Sequence, residues 1–245
     1  MNPFSRTELV IGHEAMERLS RARVAVFGLG GVGGSCAEAL ARCGIGALDL
    51  IDNDAVSLTN INRQAFATHR TVGMKKTDAA EERLHDISPE TLIRKYPMFY
   101  LPKNRDEFPF AGFDYIVDAI DTVTAKIDIA EQAKKYHIPL ISAMGCGNRV
   151  DPSFLRIMNL SETRNDPLAR IMRRELKKRG ITELKVCCST QLPLKPLHNE
   201  NSEKNAQGRY VPGSTAFVPP AAGILIASEV MRDLTDFDPD RRTAV

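Results

Sequence analysis

A glycine-rich loop is the segment of this sequence best suited to chemistry. The motif GLGGVG occupies residues 28–33, directly after a short apolar run. Gly28 permits a tight turn off a strand, and Gly33 lets the next helix lie close to the sheet. Gly30 and Gly31 let a phosphate approach the main chain, where the helix N-terminus directs unpaired amides at an anion. The motif predicts a phosphate-binding loop.

An acidic residue follows where a ribose-binding carboxylate is expected. Asp52 lies 24 residues after Gly28, at the end of a second apolar run, 48–51. A carboxylate at this place can accept hydrogen bonds from a ribose. An isolated Asp at a strand end is an ordinary turn residue, but behind a glycine loop it favours nucleotide binding.

Cationic and amide side chains after the loop distinguish between nucleotides. A triphosphate needs its negative charges neutralised, whereas a nicotinamide site mostly avoids dense cationic groups near the phosphates. Arg63 and Lys76 supply positive charge. Asn60 and Asn62 supply hydrogen bonds to ribose or phosphate. The pattern favours ATP, although a surface salt bridge for Arg63 and a solvated helix start for Lys76 remain as alternatives.

A further carboxylate completes the predicted nucleotide site. Asp121 comes just past the apolar run 115–118. A carboxylate at a strand end can hold magnesium. The sequence therefore predicts ATP and magnesium as cofactors.

Composition narrows the class of protein. With 245 residues, of which 43% are hydrophobic, the chain can form one large α/β domain. A net charge of +2 does not by itself indicate nucleic-acid binding. The five cysteines show no CxxC spacing, so we expect no disulfide framework or structural zinc. The sequence has no apolar leader and no membrane-length apolar run, and a cytoplasmic protein without membrane contact is expected.

Strands and helices alternate along the chain. Periodicity predicts strands at 24–27, 48–51, 92–96, 115–118 and 140–143, and helices at 32–43, 76–85 and 125–136. This order is typical of parallel βαβ units, whose right-handed crossovers produce a doubly wound sheet. An amphipathic helix with Leu9, Val10, Met16 and Leu19 is expected before the first strand.

The pattern changes in the second half of the sequence. Strands are predicted at 154–159 and 184–188 around a basic helix, 167–179, and a small-residue helix at 221–234. The proline-spotted connection at about 191–213 has no periodicity and predicts a mobile loop. We therefore expect a Rossmann-like, doubly wound, mostly parallel sheet with an added C-terminal strand and helix portion. It forms one domain over 1–245, with a nucleotide-binding half at 1–145 and a substrate-side half at 146–245.

These motifs, taken in order, resemble the ThiF/MoeB/HesA superfamily of adenylating enzymes, which are related to the ubiquitin-activating enzymes. The resemblance is carried by GLGGVG, LIDNDAVSLTNINRQ, VGMKK and VDAIDT. Arg6 resembles the arginine that family dimers insert into the neighbouring subunit's site, which implies a functional homodimer; a surface charge at a helix start is the alternative. By position, the residues implied to contact ATP or magnesium are Gly31, Asp52, Asn60, Asn62, Arg63, Lys76, Asp121 and Thr122.

Members of this superfamily activate a carboxylate as an acyl adenylate. Attack of a carboxylate on the α-phosphorus brings two anions together, so the site must neutralise charge on the phosphates and on the departing pyrophosphate. Arg63, Lys76 and Arg6 in trans would supply this field together with magnesium held by Asp121. No general base is needed, because a carboxylate is already ionised at neutral pH.

Other segments resemble the tRNA threonylcarbamoyladenosine dehydratase branch of the superfamily. They are SRTELVIGHEAMERL, ARCGIGALDLIDNDAVSLTNINRQ, PLISAMGCGNRVDPSFLRIMNLSETRNDPLARIMRRELKKRG and GSTAFVPPAAGILIASEVMRDL. The implied reaction is ATP-dependent cyclisation of N6-threonylcarbamoyladenosine in tRNA, with net loss of water. Family association also suggests cysteine-desulfurase or sulfur-acceptor partners.

Two other functions stay open. One is an adenylyltransferase that activates the C-terminal glycine of a ubiquitin-like sulfur carrier. Such activators commonly have two CxxC pairs, which this chain lacks. The other is a non-catalytic nucleotide-binding protein, including a scaffold of the NAD type.

A basic segment suits the tRNA interpretation. Seven Lys or Arg residues lie between residues 170 and 185, against Glu175 and Glu183. Such a segment can contact RNA phosphates, or it can form a solvated basic helix face. The residues expected to bind tRNA are Arg170, Arg173, Arg174, Lys177 and Lys178.

The cysteines are not expected to be nucleophiles. Cys187 and Cys188 are consecutive on a predicted strand, so their side chains point to opposite faces. Intramolecular cyclisation needs no thioester. Cys146, between two glycines, could line the substrate cavity.

Overall fold

A twisted sheet forms the centre of the molecule. The computed structural model describes residues 2–197 and 210–239. Its strands are β1 (Arg23–Phe27), β2 (Ala47–Ile51), β3 (Leu92–Tyr96), β4 (Tyr115–Asp118), β5 (Leu140–Ala143), β6 (Leu155–Asn159) and β7 (Lys185–Ser189). Its α-helices are α1 (Ser5–Ile11), α2 (His13–Arg21), α3 (Gly31–Arg42), α4 (Lys76–Ile87), α5 (Val123–Tyr136), α6 (Pro167–Lys177) and α7 (Val218–Thr235).

The strand order explains where a ligand can bind. The sheet runs β3-β2-β1-β4-β5-β7-β6, and all described neighbours are parallel except β6, which is antiparallel to β7. The chain leaves β1 towards β2 on one side and returns to β4 on the other, so the order reverses at β1. Ligands of open α/β sheets bind outside the carboxyl ends of the strands at such a reversal. The predicted α/β, Rossmann-like, doubly wound fold is confirmed.

Alternation along β1 divides the core between the two faces of the sheet. Val24 and Val26 pack in a cluster with residues of α2, α3, α4 and α7. Ala25 and Phe27 pack on the opposite face with residues of α5. Phe27 lies in a group of aromatic rings there, with its centroid 5.0 Å from that of Tyr100. The sheet is therefore covered on both faces, as a parallel sheet requires.

Glycine allows α3 to approach the main chain on two sides. A Cβ on Gly33 would lie 1.8 Å from the carbonyl oxygen of Gly28. On the other side, a Cβ on Gly223 in α7 would lie 2.2 Å from the carbonyl oxygen of Val32. No side chain fits at either contact, so these glycines hold α3 directly against the sheet and against α7.

The N-terminal prediction is wrong. Instead of one amphipathic helix there are two, α1 and α2, separated by Gly12 at φ 90°. Leu19 is fully buried, but Leu9 and Val10 are 85% and 63% exposed. The turn at Gly12 changes the helix direction, so the two apolar pairs do not share one face.

The connection after β7 is only partly described. Residues 191–197 and 211–213 contain neither helix nor strand. Residues 198–209 of the predicted mobile loop lie outside the described residues. Among the residues that are described, no helix has the length and apolar character needed to cross a membrane.

The contact between Gly33 and Gly28 yields a stability prediction. Overpacking a core site typically costs roughly 1–3 kcal/mol. We expect Gly33→Ala to lower the free energy of unfolding by at least this amount, because the new Cβ meets a main-chain oxygen. Gly30→Ala is the matched control, since a Cβ there has nothing within 4 Å. Urea denaturation of both variants measures the difference, and equal midpoints would contradict the packing account.

Candidate active site

A cavity of about 480 Å³ opens at the carboxyl ends of β1, β2 and β4. The reversal of strand order brings together segments that are far apart in sequence. The predicted site residues that line it are Gly28, Gly30, Gly31, Asp52, Asn60, Arg63, Lys76, Asp121 and Thr122. Among the other predicted residues, Gly33 packs beneath the loop, and Asn62 and Arg6 are not in this lining.

The glycine loop joins the end of β1 to the amino end of α3. Gly28 adopts φ 90°, and its amide donates to the carbonyl oxygen of Ile51 at 2.8 Å. The helix begins at Gly31, so its first amides have no partner within the helix. Gly30 and Gly31 border the cavity. This geometry can accept a phosphate on main-chain N–H groups.

Asp52 fixes the loop from the neighbouring strand. Its Oδ2 accepts a hydrogen bond of 2.7 Å from the amide of Leu29, and its Oδ1 accepts one of 2.8 Å from the amide of Asp54. The Nζ of Lys76 lies 3.7 Å from Oδ2. The carboxylate therefore ties β2 to the glycine loop, and each of its oxygens keeps a lone pair for a further donor.

Two cations border the cavity. Lys76 is the first residue of α4, is buried, and donates to Oδ2 of Asp54 at 2.7 Å. Arg63 donates to Oδ1 of Asn62 at 2.8 Å and to the carbonyl oxygen of Thr59 at 3.2 Å. Both cations thus border the same cavity, Arg63 from a turn and Lys76 from the start of α4, and an anionic ligand could become a partner of each.

The remaining polar residues come from two turns. The Oδ1 of Asn60 accepts from the amide of Ser57 at 3.1 Å, which leaves the amide nitrogen of its side chain as a donor. Asp121 is exposed and Thr122 half-buried, directly before α5. In the part of the chain that is described, no three His, Cys, Asp or Glu side chains are grouped to hold a metal.

An apolar wall was missed by the sequence analysis. Met98, Phe99 and Tyr100 follow β3 and line the cavity together with Ile51 and Ile120. Their position after a predicted strand at the same sheet edge was the available signal. The wall can receive a planar, apolar group such as a nucleobase.

Tyr100 is held in a fixed orientation by Asp128 of α5. Its hydroxyl donates to Oδ2 of Asp128 at 2.6 Å, and Arg105 lies 2.8 Å from the other oxygen of that carboxylate. Burial raises the pKa of Tyr100, and the bond to Asp128 raises it further. The hydroxyl therefore stays protonated and donates at neutral pH.

A buried ion pair supports the floor of the site. The Nζ of Lys126, in α5, is fully buried and lies 3.0 Å from Oδ2 of Asp118, at the end of β4. It also donates to the Oγ of Ser142 at 3.1 Å and to the carbonyl oxygen of Ala143 at 2.9 Å. The hydroxyl of Ser142 donates to Asp118 at 2.6 Å. These bonds tie β4, β5 and α5 together below the turn that carries Asp121.

A second cavity, of about 580 Å³, lies beside the first and shares Arg63 with it. Asn62 lines this second cavity, where its Nδ2 donates to the carbonyl oxygen of Ser214 at 3.0 Å. Asn62 therefore borders the second cavity rather than the first, although its Oδ1 accepts from Arg63, which lines both; its contact with the nucleotide stays a prediction. A larger cavity, of 880 Å³, lies at the amino ends of β5 and β7, and none of the predicted nucleotide-site residues lines it.

The thiols are poorly suited to nucleophilic attack. All five cysteines are free, and Cys187 and Cys188 belong to clusters on opposite faces of the sheet, as predicted. Burial raises the pKa of Cys187 well above its usual value, that of Cys188 to about 12 and that of Cys146 to about 11. At neutral pH these side chains are protonated, and the thiolate is the reactive form.

Helix α6 carries four of the predicted tRNA-binding residues and Lys178 follows it directly, but some of their charge is neutralised within the protein. Glu175 pairs with Arg174 and Lys178, which lower its pKa to about 2. Arg173 donates to the carbonyl oxygen of Thr163 at 2.8 Å. Arg170 and Lys177 are exposed to solvent. The five side chains therefore do not form one uniform basic face.

A glycine loop, a helix N-terminus and two cations at the switch point of a doubly wound sheet define a nucleotide-binding protein of the Rossmann-like class. The family model described as "ThiF family" matches residues 4–244. The chain belongs to the ThiF family, which confirms the resemblance of its motifs.

Among curated relatives, the chain is similar to proteins named tRNA threonylcarbamoyladenosine dehydratase. The protein from Bacillus subtilis (strain 168) is 40% identical over 242 residues, which cover 96% of this chain and 95% of that protein. The one from Escherichia coli (strain K12) is 38% identical over 174 residues, which cover 71% of this chain and 65% of that protein.

Among solved structures, the chain is similar to the E. coli tRNA N6-threonylcarbamoyladenosine dehydratase TcdA in complex with ATP. The TM-score is 0.86 at 31% identity, over 99% of this chain and 96% of that chain. The AMP complex of TcdA gives a TM-score of 0.87 at 30% identity, over 98% and 96%.

The buried ion pair under the site yields a second stability prediction. We expect Lys126→Met to lower the free energy of unfolding by about 3–5 kcal/mol, because Asp118 would stay buried without its cation. Lys135→Met on the exposed side of the same helix should change it by less than about 0.5 kcal/mol. Chemical denaturation gives both values, and similar losses in the two variants would refute a special role for Lys126.

Proposed function

We propose that this protein is an ATP-dependent tRNA threonylcarbamoyladenosine dehydratase. It adenylates the carboxylate of N6-threonylcarbamoyladenosine in tRNA, and ring closure then releases AMP. The observation that carries the proposal is the coincidence of a cationic nucleotide cavity with 40% identity to a relative of that name across 95% of its length.

The first cavity has a suitable group for each part of ATP. The glycine loop and the amino end of α3 receive phosphates, and Lys76 exchanges its bond with Asp54 for one to a phosphate oxygen. The wall formed by Met98, Phe99 and Tyr100 receives the adenine. Asp52 accepts hydrogen bonds from the ribose hydroxyls, and the side-chain amide of Asn60 donates to ribose or phosphate, since their main-chain contacts leave these groups available.

The charges of the site drive the first step. The substrate carboxylate attacks the α-phosphorus, the bond to the bridging oxygen breaks, and pyrophosphate leaves. Arg63 borders both cavities and so lies where the incoming carboxylate and the α-phosphate meet. Its guanidinium offsets the repulsion between the two anions and the charge that develops in the transition state.

Ring closure is intramolecular and requires little from the protein beyond orientation. The carbamoyl nitrogen forms a bond to the activated acyl carbon and loses its proton, and the bond between that carbon and AMP breaks. The tRNA loses the elements of one water, while ATP is converted to AMP and pyrophosphate. Holding the two groups of one substrate in contact makes the step effectively unimolecular.

The proposal includes a magnesium ion that Asp121 would bind together with ATP. This ion is usually bound by one or two carboxylates plus substrate phosphates, so the single exposed carboxylate at the cavity edge fits the expected donor set. Thr122 adds a hydroxyl beside it. When bound, magnesium would neutralise phosphate charge.

A homodimer also belongs to the proposal. Arg6 is exposed on α1 and is not in the described lining of either cavity. The neighbouring Leu9 and Val10 are 85% and 63% exposed, which suits burial against a second copy. Arg6 would then complete the partner's site. A cytoplasmic location follows from a tRNA substrate, and sulfur-relay partners stay a prediction.

Both halves of the chain would act as one adenylating domain. Helix α7 from the second half packs on α3 from the first through Gly223. Arg170, Arg173, Arg174, Lys177 and Lys178 would contact tRNA phosphates by exchanging internal partners where they have them.

One experiment tests the reaction directly. The protein is incubated with ATP, magnesium and tRNA that carries N6-threonylcarbamoyladenosine, and the digested nucleosides are weighed by mass spectrometry. We expect the modified nucleoside to lose the mass of one water, with formation of AMP. An unchanged nucleoside, together with pyrophosphate exchange that depends on a protein ending in Gly-Gly, would instead identify a carrier-protein adenylyltransferase.

The role of Arg63 is tested by substitution. Arg63→Ala should lower kcat by about 100-fold or more, since it removes a cation from the developing charge. Arg70→Ala, an exposed arginine in the same segment, is the control and should leave turnover unchanged. Steady-state kinetics with the modified tRNA distinguishes the two, and near-normal kcat in folded Arg63→Ala would remove the assigned role.

The cysteines give an independent test of the mechanism. Cys187→Ala should retain turnover, because the native thiol is buried and its pKa is raised by burial. In native protein, alkylation of Cys187 should become appreciable only far above neutral pH, where a thiolate forms. Peptide mass mapping after timed alkylation measures this. A folded Cys187→Ala protein without activity would mean that a thiol intermediate is required.

A further inference from the structure

The second cavity has three walls that come from separate parts of the chain. One wall is the turn at 59–63, the second is the loop after β5 at 148–150, and the third consists of residues 194–197 and 211–215. Arg63 stands between this cavity and the nucleotide cavity. A ligand in the second cavity can therefore place one end next to a nucleotide in the first.

The charge of the second cavity indicates an anionic ligand. Arg63, Arg149 and Lys195 line it, and no Asp or Glu occurs in its described lining, but the guanidinium of Arg149 is paired with Asp166 at 3.3 Å, so Arg63 and Lys195 supply the charge that a ligand meets. Lys195 is exposed, while Arg149 is almost fully buried. Since opposite charge lowers the free energy of bound anions, a carboxylate or phosphodiester is favoured here.

Apolar side chains cover the rest of the surface. Val150 and Leu194 are 46% and 50% exposed, and Pro212 lies on the third wall. No aromatic side chain occurs in the described lining. These groups can contact the face of a planar ring but offer few directional bonds to it. The cavity therefore combines positive charge with an apolar surface.

Hydrogen bonds hold the walls in place. Asn148 adopts φ 57°, its amide donates to the carbonyl oxygen of Gly213, and its Oδ1 accepts from the amide of Gly213, both at 2.8 Å. Its carbonyl oxygen accepts from the amide of Leu194 at 2.7 Å. One residue thus fastens both sides of the third wall to the second.

Arg149 fixes the same loop from beneath. It donates to the carbonyl oxygens of Gly145, Asn165 and Gln191, and it lies 3.3 Å from Asp166. The shape of the cavity is consequently set before a ligand arrives. Preformed walls reduce the ordering cost of binding.

We propose that the second cavity binds the modified nucleotide of the tRNA, with its base on Val150, Leu194 and Pro212 and its carboxylate directed at Arg63. This assignment rests on the proposed function and adds where the acceptor binds. The base must leave its stack to enter, as single-stranded RNA bases do in other proteins. Lys195 at the rim then meets the phosphodiester.

The chemistry of the cavity favours a nucleotide over a peptide tail. A Gly-Gly terminus is extended, carries one charge at its end and has no apolar body for the wall of Val150 and Leu194. A modified nucleotide has a planar base, a carboxylate and a phosphodiester, which match the apolar wall, Arg63 and Lys195.

A pair of matched variants tests the assignment. Val150→Asp places a negative charge in the cavity, and Val72→Asp makes the same change at a valine of similar exposure, 41%, outside both cavities. We expect Val150→Asp to raise KM for modified tRNA about tenfold or more through repulsion of the anionic acceptor, which corresponds to about 1.4 kcal/mol. ATP affinity by calorimetry and kcat at saturating tRNA should match those of Val72→Asp.

The free nucleoside N6-threonylcarbamoyladenosine distinguishes binding in the second cavity from binding to the basic helix α6, because it has no phosphates for α6 to contact. It should inhibit tRNA turnover competitively, and Val150→Asp should raise its inhibition constant by a factor similar to that for KM. Equal KM values in the two variants, or an unchanged inhibition constant, would overturn the cavity assignment and leave the dehydratase proposal intact. Absence of tRNA turnover in the unaltered protein would overturn both proposals.

Discussion

Contact between main chains, without side chains between them, is the constraint on which the rest of the site depends. Gly33 brings α3 against the carbonyl of Gly28, and Gly223 brings α7 against the carbonyl of Val32. The first contact aims the unpaired amides of α3 at the switch point of the sheet. The second places α7, from the C-terminal part of the chain, directly against α3, which begins at the phosphate loop.

Carboxylates near the site mostly hold the protein together. Asp52 accepts two main-chain amides, and Asp118 accepts from Lys126 and Ser142. Each would destabilise the fold if it were buried without donors. Lys76 and Arg63 border the cavity with weaker claims on them, because a ligand that carries phosphates can compete with Asp54 for Lys76 and with Asn62 for Arg63.

The sequence predicts the central fold and the first cavity well, for a physical reason. Apolar runs of strand length in a βαβ order specify a parallel sheet, and the carboxyl ends of its strands then meet at one edge. Asp52 and Asp121 could therefore be grouped from their positions after predicted strands, and Lys76 from its position at the start of a predicted helix. That Asn60 lines the first cavity and Asn62 the second could not be predicted, because the conformation of the turn decides which cavity each of two nearby side chains borders.

Other features depend on contacts that periodicity does not encode. Leu9 and Val10 have the spacing of a buried helix face, but Gly12 redirects the chain and leaves them exposed. Lys126 lies in α5 and Asp118 ends β4, so their pairing depends on how α5 packs against the sheet. A lysine at that position of the sequence resembles any other helix lysine until its surroundings are known.

Asp166 has a consequence for how this protein can vary. The same carboxylate caps α6 through the amide of Ala169 at 2.9 Å, accepts from the amide of Gly145 at 2.9 Å, and lies beside Arg149. Loss of this one carboxylate would release the amino end of α6 and the loop after β5 together. A single change at Asp166 therefore alters a helix and a cavity wall at once.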